Sequence, residues 1–354
     1  MGQSALSRPA DWRLLLMAAR IAGPPLLLLG VMVLATLYGT ASIAPGETLH
    51  ILAYKLGLRL GQVTWSPQDQ AIIWSIRLPR VLAAALVGAA LAIAGTLFQA
   101  VLRNPLADPY VIGTSAGAQL GVALSLLLPI QFELFGFGTV QATAFAGALL
   151  TVLFVYGLAR TAGRTPVVTL LLAGFVVSSF LISLTSFVMI ASNRVNQVTM
   201  WTMGGIDISR FQQLAFTGPC VVLAGCLAIT LAPRLDVILL GEEQAAHLGV
   251  RVERLKIGTI ALAAFLTGLA VALAGVVAFV GLVVPHAVRL LYGPGHRILI
   301  PAAGIVGAAF VVVVDLIART VVAPTEVPLG VMTAVVGAPF FLHLLRRTRR
   351  IYAL

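Results

Sequence analysis

Several groups of residues in this 354-residue chain have types and spacings that chemistry could use. Gly113-Thr-Ser-Ala-Gly117 spells G-x-S-x-G, the turn on which serine hydrolases present a nucleophile beside a His–acid pair. That turn needs a strand before it. Here it opens an apolar helix after Asp108-Pro109, so small residues at a helix start explain it without catalysis, and an intramembrane protease using Ser115 and His286 is the minor alternative. The five histidines, His50, His247, His286, His296 and His343, make no H-E-x-x-H or other ligand spacing. Asp315 lies in an apolar run four residues before Arg319, a spacing that puts both on one helix face. Such a pair is either a proton relay or a mutually neutralised pair that positions the arginine, and the second reading is preferred. Neither Lys55 nor Lys256 follows a glycine, so the chain has no Walker A loop. Cys220 and Cys226 are six apart in one apolar run and read as small hydrophobes. The residues therefore imply no catalytic centre, no metal site and no cofactor.

The elements that must carry these residues are set by composition. With 60% hydrophobic and 10% charged residues and a mean hydropathy of +1.03, the chain cannot cover a water-facing surface, and lipid must be its main solvent. Backbone groups in hydrocarbon have to be satisfied internally, and the long unalternating apolar runs select helices over a barrel. Ten spans are expected at about residues 14–39, 78–102, 110–129, 138–159, 166–191, 212–232, 257–275, 276–290, 298–321 and 328–345, on the rule of roughly 20 apolar residues per crossing. The eighth is short enough to be a half-length or re-entrant helix instead. Arg8, Arg13 and Arg20 precede the first run, which is too long for a signal peptide and reads as a retained span. Most of the 23 lysines and arginines then fall on the side of the N-terminus, which puts both tails, 1–13 and 346–354, in the cytoplasm. The net charge of +11 is scattered between apolar runs, a topology and lipid signal rather than a nucleic-acid footprint. Arg77, Arg80 and Arg319 stand out at the opposite mouth. There they suit an acidic partner or an anionic solute and equally suit snorkelling to lipid phosphates.

The two halves share a signature at an offset of 180 residues. Ala83, Ala84, Gly88, Ala94, Gly95 and Pro105 correspond to Ala263, Ala264, Gly268, Ala274, Gly275 and Pro285. Five spans separate the copies, so equivalent helices cross in opposite directions, the inverted repeat on which many transport paths are built. With no nucleotide loop of its own, an ATP-driven transporter of this kind needs a docking element for a separate ATPase. The loop at 233–256 supplies one: Gly241-Glu242-Glu243 to Leu248-Gly249 is a short amphipathic helix with a glycine stop, although an interfacial helix lying on lipid has the same pattern.

Taken together, Arg77-Leu-Pro-Arg80, Val87 to Gly95, Arg103-Asn-Pro-Leu-Ala-Asp-Pro109, Gly113 to Gly117, Gly241 to Gly249, Phe279 to His286, Asp315 to Arg319, Glu326-Val-Pro-Leu-Gly330 and Gly337-Ala-Pro339 resemble the FecCD-type permeases of type II ABC importers for iron(III)-siderophores, haem and vitamin B12. The resemblance runs from about residue 70 to the C-terminus. It implies one all-α transmembrane domain, 1–354, of ten spans in two inverted repeats, in an inner membrane. It also implies a homodimer, two cytoplasmic ATPase subunits and a periplasmic binding protein. Arg77, Arg80 and Arg319 would dock that protein. Gly241, Glu242, Glu243, Ala246, Leu248 and Gly249 would engage the ATPases. Asn104 and Leu106 would line the inner constriction, with Val167 and Val168 at a second gate position where the B12 permease has small hydroxyl residues. The implied cargo is haem or a ferric siderophore, with a corrinoid as the alternative and a proton-coupled secondary carrier as a more distant one.

Overall fold

The computed structural model describes residues 10–58, 62–127, 130–206 and 211–352, with side chains from 22 to 343. Residues 1–9, Arg59 and Arg210 lie outside what it describes, as do the side chains of Arg13, Arg20, Arg346, Arg347, Arg349 and Arg350. The chain forms α1 (Ala10–Leu37), α2 (Pro45–Lys55) and α3 (Pro67–Ala71), and α3 passes through a π turn, Ile72–Arg77, into α4 (Leu78–Val101). Next come α5 (Thr114–Leu127), a two-stranded hairpin (β1 Glu133–Leu134, β2 Phe137–Gly138), α6 (Thr139–Ala159), α7 (Val167–Ser192) and α8 (Val195–Thr202). The second half holds α9 (Phe211–Ile238), α10 (Glu242–His247), α11 (Val252–Ala274), α12 (Val280–Tyr292), α13 (His296–Thr320) and α14 (Leu329–Tyr352).

Each of the ten expected spans lands on a helix. Six helical rods among the described residues are long and apolar enough to cross a membrane, and four more, in α1, α5, α12 and α14, carry shorter apolar stretches. Local chemistry sets the ends. Ser66 Oγ accepts from Asp69 N at 3.0 Å, with Pro67 behind it, an N-cap with proline at N1. Asn193 closes α7 in the left-handed region, as C-terminal caps do.

Burial divides the bundle into an axis and a rim. The most apolar window is 78% buried in the rod Pro67–Val101 and 72% in α11, against 17% in α7. The axis helices exchange partners between the halves. α4 packs on α13 while α11 packs on α6, and α4 packs on α12 while α11 packs on α5. This reciprocity follows the order of spans in two repeats five spans apart, and it shows the two halves interlocked rather than side by side.

Glycine makes the closest of these crossings. A methyl at Gly88 would lie 2.1 Å from the Gly307 carbonyl oxygen, and one at Gly95 would lie 1.9 Å from that of Gly281. The helices touch backbone to backbone, as small residues allow in lipid.

Two interruptions deserve more than the loops the sequence expects. α12 has 13 residues, about 20 Å of helix at 1.5 Å per residue, and falls short of the roughly 30 Å of hydrocarbon. The structure thus takes the half-length alternative for the eighth span. Its N-terminus begins beside Leu91 and Gly95, well inside α4, and Pro109 packs on Gly281. The stretch 107–113 likewise enters the bundle, with Val111 and Ile112 against Gly174, two turns into α7. The two irregular stretches meet where the Tyr110 hydroxyl donates to Val277 O and accepts from Val277 N, both at 3.2 Å. Non-helical backbone at this depth persists because it is enclosed by protein and its polar groups are paired.

Candidate functional site

Two polar constellations lie beyond opposite ends of α4, and the sequence-selected residues divide between them. At the end where α4 begins, Arg77 donates to Thr36 O (3.4 Å), Leu37 O (3.2 Å) and Ala41 O. Arg319 donates to Ala35 O. Both arginines are buried, and they satisfy the last carbonyls of α1, which a helix end leaves without partners. Gly39 makes room for this, since a side chain there would meet Arg77 Nε at 2.7 Å.

Arg80 sits between two carboxylates. Its Nε and one terminal nitrogen are each 3.0 Å from Asp315 Oδ1, and the other terminal nitrogen is 2.9 Å from Glu326 Oε1. Asp315 is also 3.4 Å from Arg319 Nε. Asp315 is therefore held by two guanidinium groups, the arrangement that makes a buried charge tolerable. Of the three arginines predicted to dock a partner, Arg80 is the one with an appreciably exposed side chain, at 17%, and its partner Glu326 is 47% exposed. The i,i+4 spacing revealed the Asp315–Arg319 pair. Nothing in the sequence linked Arg80 to Asp315, 235 residues away.

At the other end, α10 starts at Gly241, whose φ of +118° belongs to glycine, and stops before Gly249 at φ +83°. Flanking helices absorb both sides of the 233–256 segment: α9 continues to Ile238 and α11 starts at Val252. Ala245 is buried and anchors α10, while Glu243, Ala246, Leu248 and Gly249 are exposed. Glu242 turns inward instead. It meets Lys256 Nζ at 2.7 Å and Arg103 at 3.6 Å.

The four predicted gate residues gather near this same end. Asn104 Oδ1 accepts from Leu106 N at 2.9 Å, forming a tight turn in which Leu106 is 40% exposed. Val167 is half-buried at the start of α7, and Val168 is 69% exposed. Sequence reasoning did not foresee how three contributors meet here: Lys256, which fixes Glu242, Glu253 beside it, and the backbone of Thr165 before α7. A lysine in the second turn of an otherwise apolar helix was the available signal.

The G-x-S-x-G segment has a packing role. Gly113 adopts φ +88°, and a methyl at Gly117 would lie 2.0 Å from Thr151 Oγ1 and 2.3 Å from Gly147 O. Both glycines serve the approach of α5 to its neighbours.

Known proteins place these features in context. The sequence model of the FecCD transport family matches residues 26–347. A cobalamin import system permease protein, BtuC, of Halobacterium salinarum is 44% identical over 278 residues, covering 78% of this chain and 74% of that protein. The hemin transport system permease protein HmuU of Yersinia pestis is 37% identical over 292 residues, covering 80% and 87%. A solved inward-facing conformation of an ABC transporter assigned to the metal-chelate type superposes with a TM-score of 0.78 at 29% identity, covering 92% of this chain and 98% of that one.

Proposed function

Because this chain belongs to the FecCD transport family and is a multi-span membrane permease of the ABC-importer type, we propose that two copies enclose a path for an iron chelate, haem or a ferric siderophore. In this reading both termini are cytoplasmic, separate ATPases seat on the exposed side of α10, and a periplasmic binding protein delivers the chelate to the mouth marked by Arg80. The observation that carries it is α10 itself: a short helix pinned by Ala245, with Ala246 and Leu248 presented outward beyond the membrane-length helices. A helix that exposes a leucine at 64% on a charged face is suited to a groove in a partner.

The lightly buried α7 supports pairing of two copies. Phe175, Phe180 and Phe187 are each exposed by 65% or more, leaving an apolar face for a second chain or lipid. Basic and acidic groups at the Arg80 mouth complement a charged partner, which sets orientation and on-rate more than affinity. In this conformation Arg77 and Arg319 would act there by holding α1 in place, and Arg80 with Glu326 would make the contact.

Iron chelates are preferred because the second gate position presents Val167 and Val168, an apolar closure that works by dewetting and steric contact rather than hydrogen bonding. A corrinoid is the second reading, favoured by the 44% identity to a cobalamin permease. A proton-coupled carrier is disfavoured, since Asp315 is clamped between Arg80 and Arg319. The test is uptake into proteoliposomes holding the permease, its co-encoded ATPases and the binding protein, with haemin, a ferric hydroxamate and cyanocobalamin each offered in turn. ATP-dependent uptake of an iron chelate is expected. Uptake by the permease alone in a proton gradient would refute the proposal.

A further inference from the structure

This inference rests on the reading that ATPases move α10, and it concerns how that motion reaches the path. Glu242 opens α10 yet faces the body of the protein, and its two oxygens take different partners. Oε2 accepts from Lys256 Nζ at 2.7 Å, and Oε1 pairs with Arg103 at 3.6 Å. Lys256 is 2% exposed. Its remaining donors go to Glu253 Oε1 at 3.3 Å and to the Thr165 carbonyl at 2.8 Å. The Thr165 N–H in turn donates to Glu253 Oε1 at 3.1 Å. The backbone of Thr165 is thus held through both its N–H and its C=O, two residues before Val167. The preceding turn is short and tight: Thr161 and Arg164 bond reciprocally at 2.8 and 3.0 Å across Ala162 and Gly163, both at positive φ. On the other branch, Arg103 directly precedes Asn104 and lies three residues before Leu106.

We infer that Glu242 is a fork through which displacement of α10 reaches both constriction segments, Lys256 leading to Val167–Val168 and Arg103 leading to Asn104–Leu106. The two branches differ in stiffness. The Lys256 branch runs through two short bonds, to Glu242 at 2.7 Å and to the Thr165 carbonyl at 2.8 Å, made by a buried ammonium, and breaking the first would leave that ammonium only the longer contact to Glu253 as a counter-charge. When α10 moves, the Thr165 backbone must follow. The Arg103 branch is long, and both partners are about one-third exposed, at 39% and 32%, so water can replace it at little cost. The Val168 segment should track α10 closely and the Leu106 segment loosely.

The experiment uses the full-length permease assembled with its ATPases in nanodiscs. A spin label is placed at Val168, or at Leu106, in both copies, and the inter-copy distance is measured before and after adding ATP with vanadate. In the parent complex both distances shift. Lys256→Gln is expected to abolish the Val168 shift and keep the Leu106 shift. Arg103→Gln, at an exposed position that should not disturb folding, is expected to reduce only the Leu106 shift. Glu242→Gln, which preserves shape, is expected to diminish both. A Val168 shift undiminished by Lys256→Gln or by Glu242→Gln overturns the inference, as does a Leu106 shift indifferent to Arg103→Gln. Should Lys256→Gln fail to assemble, the Glu242 and Arg103 variants decide the matter alone. If the parent complex shows no nucleotide-driven shift, or if Leu248→Glu leaves ATPase assembly intact, then α10 is not the coupling element. The underlying reading then fails together with the fork.

Discussion

Equivalent glycines of the two repeats should respond differently to the same methyl group. At Gly88 the added carbon would lie 2.1 Å from the Gly307 carbonyl oxygen, 2.6 Å from its carbon and 2.9 Å from Ala308 Cα. All three atoms are backbone on a buried helix, so no side chain can swing away. A relaxed C···O contact is about 3.3 Å, which means α4 and α13 must part by roughly 1 Å along their crossing. At Gly268 the nearest atom is Cδ2 of the Phe145 ring at 3.0 Å, which a small ring rotation relieves. Overpacking a close-packed interface costs typically 1–3 kcal/mol, and Gly88 belongs at the upper end. Replacing helical glycine by alanine returns about 1 kcal/mol at either site. The expected net effect is about 2 kcal/mol of destabilisation for Gly88→Ala and close to zero for Gly268→Ala. The scaling of about 2–4 °C per kcal/mol holds for domains somewhat smaller than this chain and falls with size, so Gly88→Ala should lower the apparent melting temperature by a few degrees. The assay is thermal unfolding in detergent, followed by size-exclusion of the fluorescently tagged permease. Equal melting temperatures for the two variants would refute the reasoning, because the backbone contact at Gly88 would then not be limiting.

Three further outcomes follow from the sites. Asp315→Asn removes the partner shared by Arg80 and Arg319, and breaking a buried pair costs on the order of 3 kcal/mol; melting should fall while ATP-driven uptake survives at permissive temperature, and abolished uptake by a well-folded variant would favour the proton-carrier alternative. Leu248→Glu changes a 64% exposed side chain, so it should leave melting unaltered and abolish co-purification with the ATPases; retained co-purification counts against α10 as their seat. Ser115→Ala should leave uptake near the parent level, since the neighbouring glycines serve helix packing, and complete loss would revive a chemical role for the serine.

The helices were legible because lipid imposes a simple rule, satisfied by long apolar runs, and the repeat was legible because Gly88, Gly95 and their partners recur at a fixed offset. The irregular parts obey no such periodicity. The sequence places 276–290 as a span, yet Gly275 at φ +64° and Phe279 at φ +67° break the chain before α12, and an aromatic residue in the left-handed region is not something propensity anticipates. What holds that break is Tyr110, 167 residues away. The hairpin at Glu133–Gly138 was also unseen. Phe135 and Gly136 both take positive φ at its tip, and Phe135 stacks on Phe216 with centroids 4.6 Å apart. In the candidate site, residue types were legible and partners were not. Arg80, Glu242 and Lys256 each stood out as charges beside apolar runs, whereas their pairings depend on which helices the fold brings together.

Those pairings have a mechanical consequence. Between the Arg80 cluster and Arg103, α4 carries no charged residue from Val81 to Leu102, and α13 carries none from Ile298 to Val314. Over that length the two helices meet through Gly88 and Gly307, and a methyl at Gly307 would already lie 2.5 Å from Ala92 Cβ and from the Gly88 carbonyl oxygen. Sliding one helix along the other would drive these backbone and methyl groups into each other, and close-packed interiors do not compress to permit it. The axis should therefore transmit motion as a rigid body, leaving displacement to the polar contacts at its ends and to the sparsely packed rim. Labels at Leu82 on α4 and Ile317 on α13 within one copy should keep their separation when nucleotide binds, in the same samples in which the Val168 distance between copies changes. A change at Leu82–Ile317 as large as that at Val168 would mean that the axis shears, and that the glycine contacts guide sliding rather than prevent it.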